Sequence, residues 1–182
     1  MADEPIDALG GLTPMQAAET PTMDYLARNG RVGMLSTVPA GFHPGSEIAN
    51  LSVLGYDVAE VFEGRGSLEA ASMNIPIGDD EMAMRCNLIC IEEGKIKNHS
   101  AGHISTEEAT ELLNFLQEKL GDGRVSFHPG ISYRHLMKIK DADKRLDCTP
   151  PHDVPGTYAL DVMVKPTASD AESTADYINS LI

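Results

Sequence analysis

The most constraining feature of this sequence is the stretch STEEATELLNFLQEKLG at 105–121, which carries its own start, face and stop. Ser105 with Glu108 three residues later forms a capping box, in which each side chain satisfies a backbone N–H left over at a helix start. Leu112, Leu113, Leu116 and Leu120 line one face up to Gly121, so a helix over 106–120 is predicted, with an apolar stripe that must find cover. The flanks have a different period. Met82, Met84, Cys86, Leu88 and Cys90 share one parity and Arg85 and Asn87 the other, the alternation of a half-buried strand. Glu93, Gly94 and Lys95 make a hairpin-like turn into KIKNHS, and two more short strands are expected near 124–128 and 132–140. Strands on both sides of one capped helix predict an α+β core with strand–helix–strand order.

Upstream of this core, Gly and Pro cut the chain short. Thr20, Pro21 at the first helical position and a stop at Asn29-Gly30 predict a helix over 21–29. VGMLST (32–37) has the length of a strand, and PAGFHPG after it is a loop. In SEIANLSVLGY, Ile48, Leu51 and Leu54 recur at three-residue spacing until Gly55, which predicts a short helix with Ser46 at its N-terminal end. EGRGSLEAASMN (63–74) reads as a second Gly-bounded turn, and IPIGDDE (75–81) marks a boundary near 76–81 between the Gly-rich part and the core. Downstream, CTPPHDVPG (148–156) cannot lie inside a regular element. The final segment has cap candidates Ser169 and Asp170, an apolar set of Tyr177, Ile178, Leu181 and Ile182, and no stop signal, so the chain is expected to end within a helix.

Composition excludes several functions. Across 182 residues the net charge is −14, which repels the phosphate backbone that Lys and Arg must neutralise, so nucleic acid is excluded as a partner. The three cysteines, Cys86, Cys90 and Cys148, form no CxxC pair and read as reduced thiols of a cytoplasmic protein. No apolar run is long enough to span a membrane, and the acidic start is unlike a signal peptide, so a membrane partner is excluded as well.

The residues able to carry chemistry lie in the loops. A serine hydroxyl becomes a nucleophile only when a base or metal activates it, and a helix start offers N–H groups to a phosphate; by spacing alone, however, Ser46 reads first as an ordinary helix cap. Arg65 between two glycines can reach an oxyanion with both guanidinium arms. His99 and His103 straddle SAG before the capped helix, Arg134 and His135 fall on opposite faces of a strand, and His152-Asp153 is held by prolines. No GxSxG elbow, P-loop or HExxH is present, which leaves an anion site assembled from loops.

Taken in order, MADEPIDALGGLTPMQAAETPTMDYLARNGRVG, PGSEIANLSVLGYD, GRGSLEAA, RCNLICI, SAGHISTEEA, HPGISYRHLM and CTPPHDVPG resemble the archaeal-type 2,3-bisphosphoglycerate-independent phosphoglycerate mutases, from Met1 to about Gly156. The resemblance implies an α/β fold in which an alkaline-phosphatase-like domain, incomplete here, is interrupted by a smaller α+β substrate domain. On that reading residues 1–78 belong to the nucleophile domain, 79–165 to the inserted domain, and 166–182 begin a further helix. It further implies two divalent metals (manganese, magnesium, cobalt or zinc) and phosphoglycerate as the small-molecule substrate. Ser46 matches the serine that takes the phosphoryl group from 3-phosphoglycerate and returns it to the 2-hydroxyl, and it touches metal. Asn50 belongs to the same motif, and Arg65, Arg85, His103 and Arg134 are the implied substrate-binding side chains.

The departures from the family pattern matter equally. The strand ending in Asp-Gly that precedes the position of Met1 in the family is missing, as are the Asp and His metal ligands beyond the substrate domain. The resemblance therefore implies less than half of a complete enzyme, inactive alone and holding neither metal, with the apolar edges of an unfinished parallel sheet exposed in the N-terminal part. A non-catalytic phosphoglycerate-binding or interaction module derived from the same family is the alternative.

Overall fold

The computed structural model describes residues 3–182, and its contacts group the chain into two units, one ending at Glu60 and one running from Val61 to Ile182. The first unit is built from short helices because its Gly and Pro allow nothing longer. A single 3₁₀ turn at Asp7–Leu9 precedes α1 (Pro14–Ala17), whose capping box pairs Thr13 with Gln16. Then come α2 (Pro21–Asn29), on the predicted residues, α3 (Ser46–Val53), and α4 (Val58–Val61) at the join. The strand expected at 32–37 does not form. A strand needs a ladder partner, and among the described residues of this unit no named strand exists to supply one. Val32 and Met34 are accordingly 79% and 101% exposed. The expectation of an unfinished parallel sheet fails for the same reason, although the apolar exposure it foresaw is present.

The second unit opens with a helix where the sequence reading expected a turn: α5 (Arg65–Ser72). Gly64 supplies the positive φ of +117° at the cap. Gly66 serves close packing, since a Cβ on it would lie 1.9 Å from the carbonyl oxygen of Ala83. Strand β1 (Glu81–Asn87) follows; it stops at Asn87, and Cys90 begins a separate strand, β2 (Cys90–Glu92). A two-residue turn with Glu93 at φ 50° and Gly94 at φ 75° returns the chain as β3 (Lys95–Asn98), a geometry matched to strand twist. Helix α6 (Thr106–Leu120) occupies the predicted residues with both capping-box bonds made. After it come β4 (Val125–His128), β5 (Arg134–Lys140), β6 (Leu146–Asp147), β7 (Lys165–Pro166) and α7 (Glu172–Leu181).

The main sheet is antiparallel in the order β1-β5-β4. Register sets its two faces. Met82 and Met84, Met137 and Ile139, and Val125 and Phe127 share one side, where Leu113 of α6 and Ile178 of α7 complete the buried core. Of the leucine stripe, Leu113, Leu116 and Leu120 pack as expected, whereas Leu112 is 48% exposed and Ala109 is buried in its place. The opposite side carries Ala83, Arg85, Asn87, Arg134 and Leu136 and receives α5, which packs against β1 and β5. This packing puts 65–72 with the sheet, so the compact unit begins upstream of the composition shift at 76–81. No helix among the described residues is long and apolar enough to cross a membrane.

Candidate functional site

Ser46 is the first residue of α3, and the cap position before it is Gly45, which has no side chain to bond with. Ser46 is therefore not the cap that spacing alone suggested. Its side chain is exposed, Asn50 one turn on is exposed on the same side, and Ala49 is the first residue of α3 whose N–H bonds back to Gly45. Glu47 folds back toward Gly45: a Cβ there would lie 2.7 Å from its Oε1. A helix N-terminus is electrostatically favourable to an anion, and Ser46 brings a hydroxyl to that end of α3.

In the second unit the sheet register gathers the basic candidates. Asn87 faces Arg134 across β1 and β5, and Arg85 faces Leu136, so Arg85, Asn87 and Arg134 project from one face, away from the core. Arg85 Nε donates to Asn87 Oδ1 at 3.4 Å, which holds the guanidinium near the strand end. Arg134 is exposed, and Arg65 is half-buried at the start of α5, next to the glycine that locks that helix on β1. His103 is exposed at φ 62° in a loop organised by Asn98, whose Oδ1 accepts from Ser100 N (2.8 Å), Ser100 Oγ (2.9 Å) and Gly102 N (3.0 Å). It lies with Glu108 and Glu111 around a shallow depression at the start of α6.

Three loops meet at this end of the sheet. Ser132 donates its hydroxyl to the Ile104 carbonyl (2.7 Å) and its N–H to Thr106 Oγ1 (3.0 Å), and the Tyr133 carbonyl accepts from Leu88 N (2.9 Å). The His99 ring lies 6.1 Å from that of Tyr133 and 6.2 Å from that of His152, both edge-on, and His152 Nε2 is 3.5 Å from Asp153 Oδ1. His99, Tyr133 and His152 thus form a cluster that no spacing in the sequence announces. Two of the thiols are poor nucleophiles: burial pushes Cys86 up to about 12 and raises Cys148 as well. No group of three or more His, Cys, Asp or Glu side chains that could hold a metal occurs among the described residues.

Comparison with known proteins gives these features their context. The profile of the 2,3-bisphosphoglycerate-independent phosphoglycerate mutase family matches residues 27–182. The chain belongs to that family. It is 54% identical over 157 residues to the 2,3-bisphosphoglycerate-independent phosphoglycerate mutase of Methanosarcina barkeri, covering 86% of this chain and 39% of that protein. It is 50% identical over 173 residues to the Methanosarcina acetivorans protein of the same name, covering 94% and 43%. The mixed α/β fold is similar to the solved cofactor-independent phosphoglycerate mutase of Thermoplasma acidophilum, with a TM-score of 0.54 and 26% identity over 98% of this chain and 47% of that one. The chain therefore spans less than half the length of these phosphoglycerate mutases.

Proposed function

We propose that this chain supplies the nucleophile and part of the substrate-binding face of a phosphoglycerate mutase that interconverts 3-phosphoglycerate and 2-phosphoglycerate. The exposed Ser46 hydroxyl at the head of α3, outside any capping role, is the observation that carries the reading. In the reaction so read, Ser46 Oγ attacks the phosphorus, the bond between phosphorus and the C3 oxygen breaks, and the serine proton passes to the departing oxygen or to solvent. The phosphoserine then gives its phosphoryl group to the 2-hydroxyl, whose proton restores Ser46 or leaves to solvent. Arg65, Arg85 and Arg134, with Asn50 and His103, bind the carboxylate and phosphate through charge-assisted hydrogen bonds.

The described residues do not fit the two divalent metals that the resemblance implies, because Ser46 has no partner ligands gathered around it here. On this reading the metal ligands come from sequence outside these 182 residues. Residues 1–78 are then part of a phosphatase-like domain, 79–165 an inserted substrate domain, and 166–182 the return helix.

The test uses the full-length protein that carries this segment. Ser46→Ala is expected to abolish mutase turnover and the phosphorylated peptide containing residue 46 while leaving the circular dichroism spectrum unchanged. Retained turnover overturns the reading. The 182-residue chain alone, with manganese, magnesium, cobalt or zinc added, is expected to bind 3-phosphoglycerate weakly and to convert none of it.

A further inference from the structure

His135 is the most buried ionisable side chain facing the core, at 1% exposure, and the proposed chemistry does not use it. Its Nδ1 accepts a hydrogen bond from the Gly130 N–H at 3.1 Å. A backbone amide can only donate, so the ring proton sits on Nε2, which has no hydrogen-bond partner. Gly130 reaches the ring because it has no side chain: a Cβ there would lie 2.3 Å from the Arg134 carbonyl oxygen. The bond closes the 129–133 connection between β4 and β5. That connection is under tension at Ser132, with φ at 54°, and it carries Tyr133 and leads into Arg134.

The geometry points to His135 as a proton-operated latch: the neutral ring holds the Gly130 amide at the entry of the loop that leads to Tyr133 and Arg134, and a protonated ring lets that amide go while the Ser132 and Tyr133 bonds keep the far side of the loop in place. Protonation converts Nδ1 from acceptor to donor, so two donors face each other across the 3.1 Å contact. The surroundings favour the neutral ring. Across β1 stands Cys86, itself held as a neutral thiol; His128 on β4 points to the opposite face and is bonded to Ser126; the Glu107, Glu108, Glu111, Glu118 and Lys119 side chains of α6 and Asp176 of α7 are exposed. Burial alone brings the ring down to about 4 from its ordinary 6.5. The sign follows. Burial holds the latched ring unprotonated until pH nears 4, whereas a ring that release brings out of its burial takes its proton at the ordinary 6.5, so the latch is fully engaged above pH 6.5 and loosens as pH falls from 6.5 toward 4. That Arg134 meets substrate rests on the proposed function; the latch does not, and amide exchange reads it without any ligand.

The experiment is hydrogen exchange followed by NMR on the 182-residue chain between pH 7.5 and 4.5, with rates corrected for the intrinsic pH dependence of exchange. Protection at Gly130 is expected to fall about tenfold or more over that range, while Ser132, bonded to Thr106, and Met137 and Ile139 in the strand keep theirs. In His135→Asn, whose amide oxygen can accept but not titrate in this range, Gly130 is expected to stay protected at every pH. In His135→Leu it is expected to be unprotected throughout. Should His135→Leu fail to fold, the wild-type series and His135→Asn decide. Gly130 protection that does not change with pH, that disappears together with the core amides, or that keeps its pH dependence in His135→Asn overturns the latch.

Discussion

Replacing Gly66 by Ala tests whether α5 is held by close backbone packing. The added Cβ would sit 1.9 Å from the Ala83 carbonyl oxygen, 2.5 Å from its carbon and 2.9 Å from Met84 Cα. All three atoms are backbone, so no rotamer change relieves the contact, and α5 must withdraw from β1 by about 1 Å. A retreat of that size forfeits roughly a quarter to a half of the dispersion well at each contact. Overpacking of this kind costs about 3 kcal/mol, toward the upper end of its usual range, because nothing flexible gives way. Alanine returns about 1 kcal/mol in helix propensity, leaving a net loss of about 2 kcal/mol. In a unit of this size that corresponds to a melting temperature lower by roughly 6–12 °C, read by thermal denaturation followed by circular dichroism. Gly33→Ala is the control, because a Cβ at Gly33 meets nothing within 4 Å. If Gly66→Ala melts with that control or above it, α5 is not seated on β1 as described. The same withdrawal would shift the adjacent Arg65, so the variant is also expected to bind 3-phosphoglycerate more weakly.

Two further substitutions or conditions separate core from surface and ionic from apolar support. Leu113→Ala, at a side chain 1% exposed, is expected to cost about 2–5 kcal/mol in urea denaturation, whereas Leu112→Ala, one residue away and 48% exposed, should change stability by less than about 1 kcal/mol. Asp143 is held down to about 2, from 3.8, by its hydrogen bonds to Arg145, which also pairs with Asp170. The stability it lends is fully present above pH 3.8 and is lost as pH falls toward 2; an acid titration of Asp143→Asn should lack that step.

What the sequence made legible was local. The capping box of Ser105 and Glu108 needs only residues three apart, and α6 begins and ends where those residues place it. The alternation around Met84 and the positions of β4 and β5 were readable because the side-chain period of two is printed in the order of residues. α5 was missed because Gly64 and Gly66 look alike in sequence, while one turns the chain and the other admits a strand 17 positions further on. VGMLST was misread in the other direction: strand propensity cannot supply the neighbour that a strand requires. At the site, motif order drew attention to Ser46, whereas its freedom from capping came only with Gly45 in place. The meeting of His99, Tyr133 and His152 joins three distant loops and leaves no mark on spacing.

The composition of the core has a consequence for how this chain is made. Met82 and Ile178 belong to the same buried cluster, with Leu113 and Ile139 between them in sequence. During synthesis the sheet and α6 leave the ribosome well before α7 does, so the nascent chain carries an open apolar face until Ile178 emerges and covers it. Stalling or a premature stop ahead of Glu172 would therefore release a sticky intermediate rather than a smaller stable protein. Closure of this core thus waits on a helix made after every other element of the cluster.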